Sequence, residues 1–109
     1  GRTGKLFAYE NYEVAPDVIT LAKGMGGGFP VGAVLAKDEI AAAFEPGNHG
    51  TTFGGNALAM AVSYEVINTL INDKIIENAA EVGEFFFKRL NEELARYDVV
   101  ENIRGMGLM

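Results

Sequence analysis

Four of the five residues Gly24–Gly28 are glycine, and Lys23 stands directly before them. A short apolar run lies on each side, DVITLA over residues 17–22 and VGAVLA over residues 31–36. The first run follows Pro16 and is β-branched; both are bounded by glycine or proline, which predicts strands. Neither alternates polar with apolar residues, so both are expected to be buried on both faces, in the manner of a parallel sheet. The glycines end the first strand and force a turn.

The remainder reads mainly as helix. Asp38–Phe44 predicts one or two turns with Asp38 as a candidate cap, and Pro46–Asn56 is a polar, glycine-rich loop. Asn56 is placed to cap a long helix whose face is Ala57, Met60, Ala61, Tyr64, Ile67 and Ile71. Asn72-Asp73 breaks it and offers a second cap. The next helix carries Ile76, Ala79, Ala80, Gly83, Phe86 or Phe87, Leu90 and Leu94 in helical rhythm, with Glu77, Glu81, Glu84, Lys88, Glu92 and Arg96 on a solvated face. Phe85-Phe86-Phe87 is expected to pack in a core rather than to meet a partner. Val99, Val100 and Ile103 suggest a further strand or turn. The fold class expected is α/β.

Composition narrows the chemistry. The 109 residues carry a formal net charge of -6 with 49% hydrophobic residues, so an anionic partner such as nucleic acid or an acidic membrane is not expected. There is no cysteine and one histidine, His49, which leaves no disulfide framework and no multi-histidine metal site. The opening GRTGKLFAYE has no apolar segment of a signal peptide, and no apolar run is long enough to cross a bilayer, so the expectation is a soluble, cytoplasmic protein. Gly1 in place of methionine, and the closing Gly105–Met109, both read as cuts through ordered structure.

Lys23 admits two readings. A lysine ending a strand beside a glycine turn can simply extend its ammonium to water. A lysine in a dry site at a strand end loses its charge more readily, and a neutral amine attacks an aldehyde to form a Schiff base. Flanking glycines would then let a flat ring approach the backbone. Thr51-Thr52 likewise reads as a helix-entry loop or as hydroxyls for phosphate oxygens. Gly4-Lys5 lacks the Ser or Thr of a phosphate-binding loop, since Leu6 follows, and no G-x-G-x-x-G starts at Gly24 or Gly26.

The segments GRTGKLFAYENYEVAPDVITLAKGMGGGFPVGAVLA and FEPGNHGTTFGGNALAMA resemble, in order and spacing, the pyridoxal-phosphate-dependent class III (ω-amino-acid) aminotransferases, nearest to their acetylornithine branch. The resemblance implies part of a fold type I large domain over residues 1–71, and the connecting helix with the start of a small domain over residues 72–109. It implies that Lys23 forms the Schiff base with pyridoxal 5'-phosphate and moves the proton in catalysis. It implies that Thr52 binds the cofactor phosphate from the partner subunit of a homodimer, and that Thr51 lies near the substrate. The implied reaction transfers the terminal amino group of N-acetylornithine to 2-oxoglutarate, as in arginine biosynthesis. Ornithine, succinylornithine and 4-aminobutyrate are alternative donors; a non-catalytic helical interaction module is the alternative of another class. The family's aspartate for the pyridinium nitrogen, its phosphate loop, its ring-stacking aromatic and its carboxylate-binding arginine all fall outside residues 1–109. The chain therefore resembles an internal piece of such an enzyme, inactive when isolated.

Overall fold

The computed structural model describes residues 1–109, in two compact units: Gly1–Val14 with Thr69–Met109, and Ala15–Asn68. The elements are β1 (Val18–Ala22), β2 (Gly32–Ala36), α1 (Asp38–Ala41), α2 (Ala57–Asn72) and α3 (Ile75–Leu94). Two 3₁₀ turns, Ala8–Asn11 and Lys23–Gly26, complete the order.

In the Ala15–Asn68 unit, β1 and β2 pair antiparallel, with Val18 opposite Ala36 and Ala22 opposite Gly32. Beyond the last pair, Lys37 N–H donates to the Asp17 carbonyl at 3.0 Å, and Lys37 Nζ meets Asp17 Oδ1 at 2.6 Å. The expected burial on both faces is not found. Ile19 and Leu21 are half-buried while Val18, Thr20 and Ala22 are exposed. A two-stranded antiparallel sheet has no crossover helices to cover its second face, so one side stays open.

Helix α1 is capped by Lys37 and not by Asp38. The Lys37 amide is already spent on the hairpin, and its carbonyl accepts from Ile40 and Ala41, so it is the last residue before the helix. Asp38 falls in the first turn, where a carboxylate still suits the helix dipole. The Asn56 cap is found as expected: Asn56 Oδ1 accepts from the Ala59 amide at 2.9 Å.

The buried face of α2 differs from the expected one. Ala59 and Ser63 are buried and Val62 and Val66 half-buried, whereas Met60, Tyr64, Ile67 and Ile71 are exposed, as are Ala57 and Ala61. The helix is apolar nearly all round (ALAMAVSYEVINTLIN), so hydrophobic spacing alone does not choose a face. The small side chains choose it, because they allow close approach. The buried Ser63 hydroxyl has no hydrogen-bond partner.

In the other unit, the corner between α2 and α3 falls on Lys74, in left-handed conformation at φ 55°, and not on Asp73. The Asp73 amide still donates to the Thr69 carbonyl at 3.1 Å and so finishes α2. The face of α3 follows the predicted rhythm at Ala79 and Gly83, both buried, and at half-buried Ile76, Leu90 and Leu94. Phe85, Phe86 and Phe87 depart from expectation: all three are exposed. At Gly83 the missing side chain is replaced by the backbone of Gly107, which in turn sits on Arg2 and Thr3. Phe86 and Phe87 line an open concavity beside this crossing. The segment after Tyr97 is a turn, with Val100 N–H donating to the Tyr97 carbonyl at 2.9 Å, and no strand forms there.

Candidate functional site

Lys23 begins a 3₁₀ turn immediately after β1. Its φ is 51°, a left-handed conformation that costs an L-residue roughly 1–2 kcal/mol. The turn closes when Gly27 N–H donates to the Gly24 carbonyl at 3.2 Å, and Phe29 N–H then donates to the Gly26 carbonyl at 2.8 Å. Gly27 and Gly28 have φ of 56° and 110°, where glycine is favoured because it has no Cβ. Gly26 is buried; a Cβ there would lie 2.7 Å from Val31 Cγ1.

Gly24 and Gly28 serve differently. A Cβ on either would meet no atom within 4 Å. Together with Lys23, Gly27 and the segment 29–31 they line an open depression of about 600 Å³. A lysine thus borders an open depression that it shares with three glycines and with Phe29, Pro30 and Val31. Lys23 is exposed, so residues 1–109 do not supply the dry surroundings expected at a strand end.

Thr51 and Thr52 lie in the same unit, in the exposed loop that leads to α2. Thr51 Oγ1 accepts from the Gly54 amide at 3.2 Å, and Asn56 Nδ2 donates to the Phe53 carbonyl at 2.7 Å, so the loop is folded on itself. Neither threonine lines the depression at Lys23. The structure therefore keeps the two candidate groups separate within one chain. His49 is exposed in the preceding loop, and no three His, Asp or Glu side chains are placed to share a metal ion.

A second concavity, of about 430 Å³, lies in the other unit among Asn11, Glu84, Phe86, Phe87 and Arg104. It holds no primary amine and none of the motif residues, so the depression at Lys23 is the candidate site on chemical grounds.

Sequence reading missed Val66. A Cβ on Gly27 would lie 3.0 Å from Val66 Cγ2, so the third turn of α2 abuts the lysine turn. Ala59, Ser63 and Val66 stand at i, i+4 and i+7 on α2, a spacing of compact side chains that could have marked this contact face.

The model of the family described as aminotransferase class-III matches residues 1–109. The acetylornithine aminotransferase of Clostridium acetobutylicum is 47% identical over 110 residues, covering 100% of this chain and 28% of that protein. The succinylornithine transaminase of Photorhabdus laumondii is 47% identical over 109 residues, covering 100% of this chain and 27% of that protein. The structure of ornithine aminotransferase from Plasmodium yoelii superposes with a TM-score of 0.92 at 47% identity, over 100% of this chain and 29% of that one. The chain thus spans about 28% of the length of the curated relatives that it matches. With the family model matched from the first residue to the last, the chain belongs to the class-III aminotransferases.

Proposed function

We propose that this chain is part of a longer pyridoxal-phosphate-dependent aminotransferase of fold type I, and that Lys23 is its cofactor-bearing lysine. The observation that carries the reading is the lysine turn: an exposed amine in left-handed conformation, beside glycines whose open faces leave room for a flat ring. A lysine amine beside glycines whose open faces leave room for a flat ring fits the ring and aldehyde of pyridoxal 5'-phosphate, and the threonine hydroxyls suit its phosphate when supplied by a second chain. When bound, that group supplies the electron sink for breaking a C–H bond next to nitrogen.

The chain's own residues then divide the work. Lys23 would hold the group through its Nζ and, when free, would take the proton from the substrate carbon that bears the amino group. Gly24 and Gly28 admit the ring. Thr52 donates its hydroxyl to a phosphate oxygen, and Thr51 borders the substrate. The separation of the threonines from the Lys23 depression supports a homodimer in which they serve the partner's site. The domain boundary proposed lies near Asn72, with residues 1–71 in the cofactor-binding domain and 72–109 leading to a smaller one. A cytoplasmic location accords with this reading.

Acetylornithine aminotransferases among the relatives support N-acetylornithine as donor and 2-oxoglutarate as acceptor. Identity of 47% to a succinylornithine transaminase and to an ornithine aminotransferase supports, as a second reading, one of those donors. Trapping tests the core of the proposal. The full-length protein carrying this chain is mixed with pyridoxal phosphate, reduced with borohydride, digested and analysed by mass spectrometry. One adduct per chain is expected on Lys23, absent in Lys23→Ala; label scattered over Lys5, Lys37, Lys74 and Lys88 would overturn the assignment. Comparing kcat/KM for N-acetylornithine, succinylornithine, ornithine and 4-aminobutyrate then selects the donor.

A further inference from the structure

The turn that presents Lys23 is not held by the hairpin alone. Lys23 sits at φ 51°, and the glycine that closes the turn, Gly27, sits at φ 56°. Backbone in the left-handed region persists where its surroundings fix it. Beyond the bonds inside the 3₁₀ turn itself, Gly27 N–H donates to the Gly24 carbonyl, both residues being exposed, and Phe29 N–H donates to the carbonyl of buried Gly26. What stands behind them is α2. The Val66 side chain lies so close over Gly27 that a Cβ there would come within 3.0 Å of its Cγ2.

Helix α2 is itself fixed at its start. Asn56 caps it at 2.9 Å to the Ala59 amide, and Asn56 is also bonded to the Phe53 carbonyl of the threonine loop. At 1.5 Å per residue, Val66 lies about 15 Å along the helix from that cap. The helix thus connects the loop of Thr51 and Thr52, at one end, to the lysine turn, at its third turn. Val66 is half-buried and β-branched, so its rotamer is restricted and its γ methyl is a fixed object.

We propose that Val66 is a positioning residue for Lys23: its Cγ2 methyl, carried by α2, is the stop against which Gly27 closes the turn that Lys23 opens. The inference rests on the assignment of Lys23 as the cofactor-bearing lysine. Val66 touches no reacting atom in this account; it acts through Gly27 and sets where the lysine backbone points. Removing the methyl leaves the turn free to relax toward ordinary φ values, and a misplaced reacting group loses rate more than it loses binding.

The test uses the full-length protein with four variants: Val66→Ala, Val66→Thr, Gly27→Ala and the double variant Gly27→Ala/Val66→Ala. Two readouts are taken, amide hydrogen exchange at Gly27 and Phe29 without cofactor, and steady-state kinetics with it. Val66→Ala is expected to speed exchange at both amides about tenfold and to lower kcat about tenfold, with KM for the amino donor within about twofold. Val66→Thr keeps a branched side chain of the same shape and is expected to recover most of that loss. Gly27→Ala, which drives a methyl into Val66, is expected to be worse than Val66→Ala, and the double variant to regain part of the deficit. Unchanged exchange and kcat in Val66→Ala would overturn the inference while leaving the lysine assignment intact. So would a lowered melting temperature with unchanged kcat, or an equal loss in Val66→Thr. Absence of a trapped adduct on Lys23 in the parent protein would instead overturn the assignment, and this inference with it.

Discussion

Glycine does opposite things in the two units. Around Lys23, the missing side chains of Gly24 and Gly28 leave empty space. In the other unit, the missing side chain of Gly83 is replaced by the backbone of Gly107, and Gly107 is pressed in turn against Arg2 and Thr3. Gly4, at φ 81°, approaches α3 so closely that a Cβ would lie 2.8 Å from that of Ala80. One set of glycines provides access and the other provides contact. Glycine content alone does not distinguish them; what fills the vacated volume does.

The largest effect is expected where the volume is filled. Glycine in a helix interior ordinarily costs up to about 1 kcal/mol against alanine, so Gly83→Ala would stabilise α3 if propensity decided. The backbone of Gly107 decides instead, because it cannot rotate away as a side chain could. Gly83→Ala is expected to destabilise by about 3 kcal/mol, read as a lower urea midpoint. An unchanged midpoint would mean that this crossing is loose and that the contrast between the two regions is false.

A smaller effect belongs to the cap. Asn56 satisfies the start of α2 and ties it to the threonine loop. Asn56→Ala is expected to cost about 1 kcal/mol. Amide exchange should rise at Ala59 and Met60, whose N–H groups bond Asn56, while the amides of α3 stay protected. Equal loosening of α3 would show that the two units unfold together.

These regions also differ in how far sequence discloses them. The Asn56 cap, the break after Asn72 and the turn after Ala22 are local, set by residues a few positions apart, and each is legible from the sequence. The buried faces are not. For α2, large apolar residues occur on every side, and the choice fell to Ala59 and Ser63, whose small size matters only once a neighbour is present. For α3, the periodic residues are right at Ala79, Gly83 and Leu90, but Phe85, Phe86 and Phe87 are exposed, and the backbone of Gly107 that covers Gly83 comes from a segment far along the chain. The one-sided burial of the hairpin depends on how many strands lie beside it, which its own residues do not encode. At the candidate site, the lysine turn is marked by its glycines, and the resemblance singles out Lys23 within it. The contact of Val66 with Gly27 joins residues far apart in the chain: the compact spacing of Ala59, Ser63 and Val66 marks the face on α2 but not what packs against it.

The smallest stability change is expected at Gly24, and its sign should reverse. Gly24 has no positive φ, and a methyl there would touch nothing within 4 Å. Alanine narrows the unfolded ensemble, so Gly24→Ala is expected to raise stability by about 0.5 kcal/mol, within the range for compatible Gly-to-Ala changes. Its cost appears only in function. The new methyl projects into the depression beside Lys23, where the flat ring is proposed to lie, so borohydride-trapped adduct on Lys23 should form more slowly although the fold is firmer. A variant that is both more stable and equally quick to form the adduct would place the ring on another side of the lysine. A less stable one would mean that Gly24, like Gly83, is occupied space, and that the openness of this turn does not persist in solution.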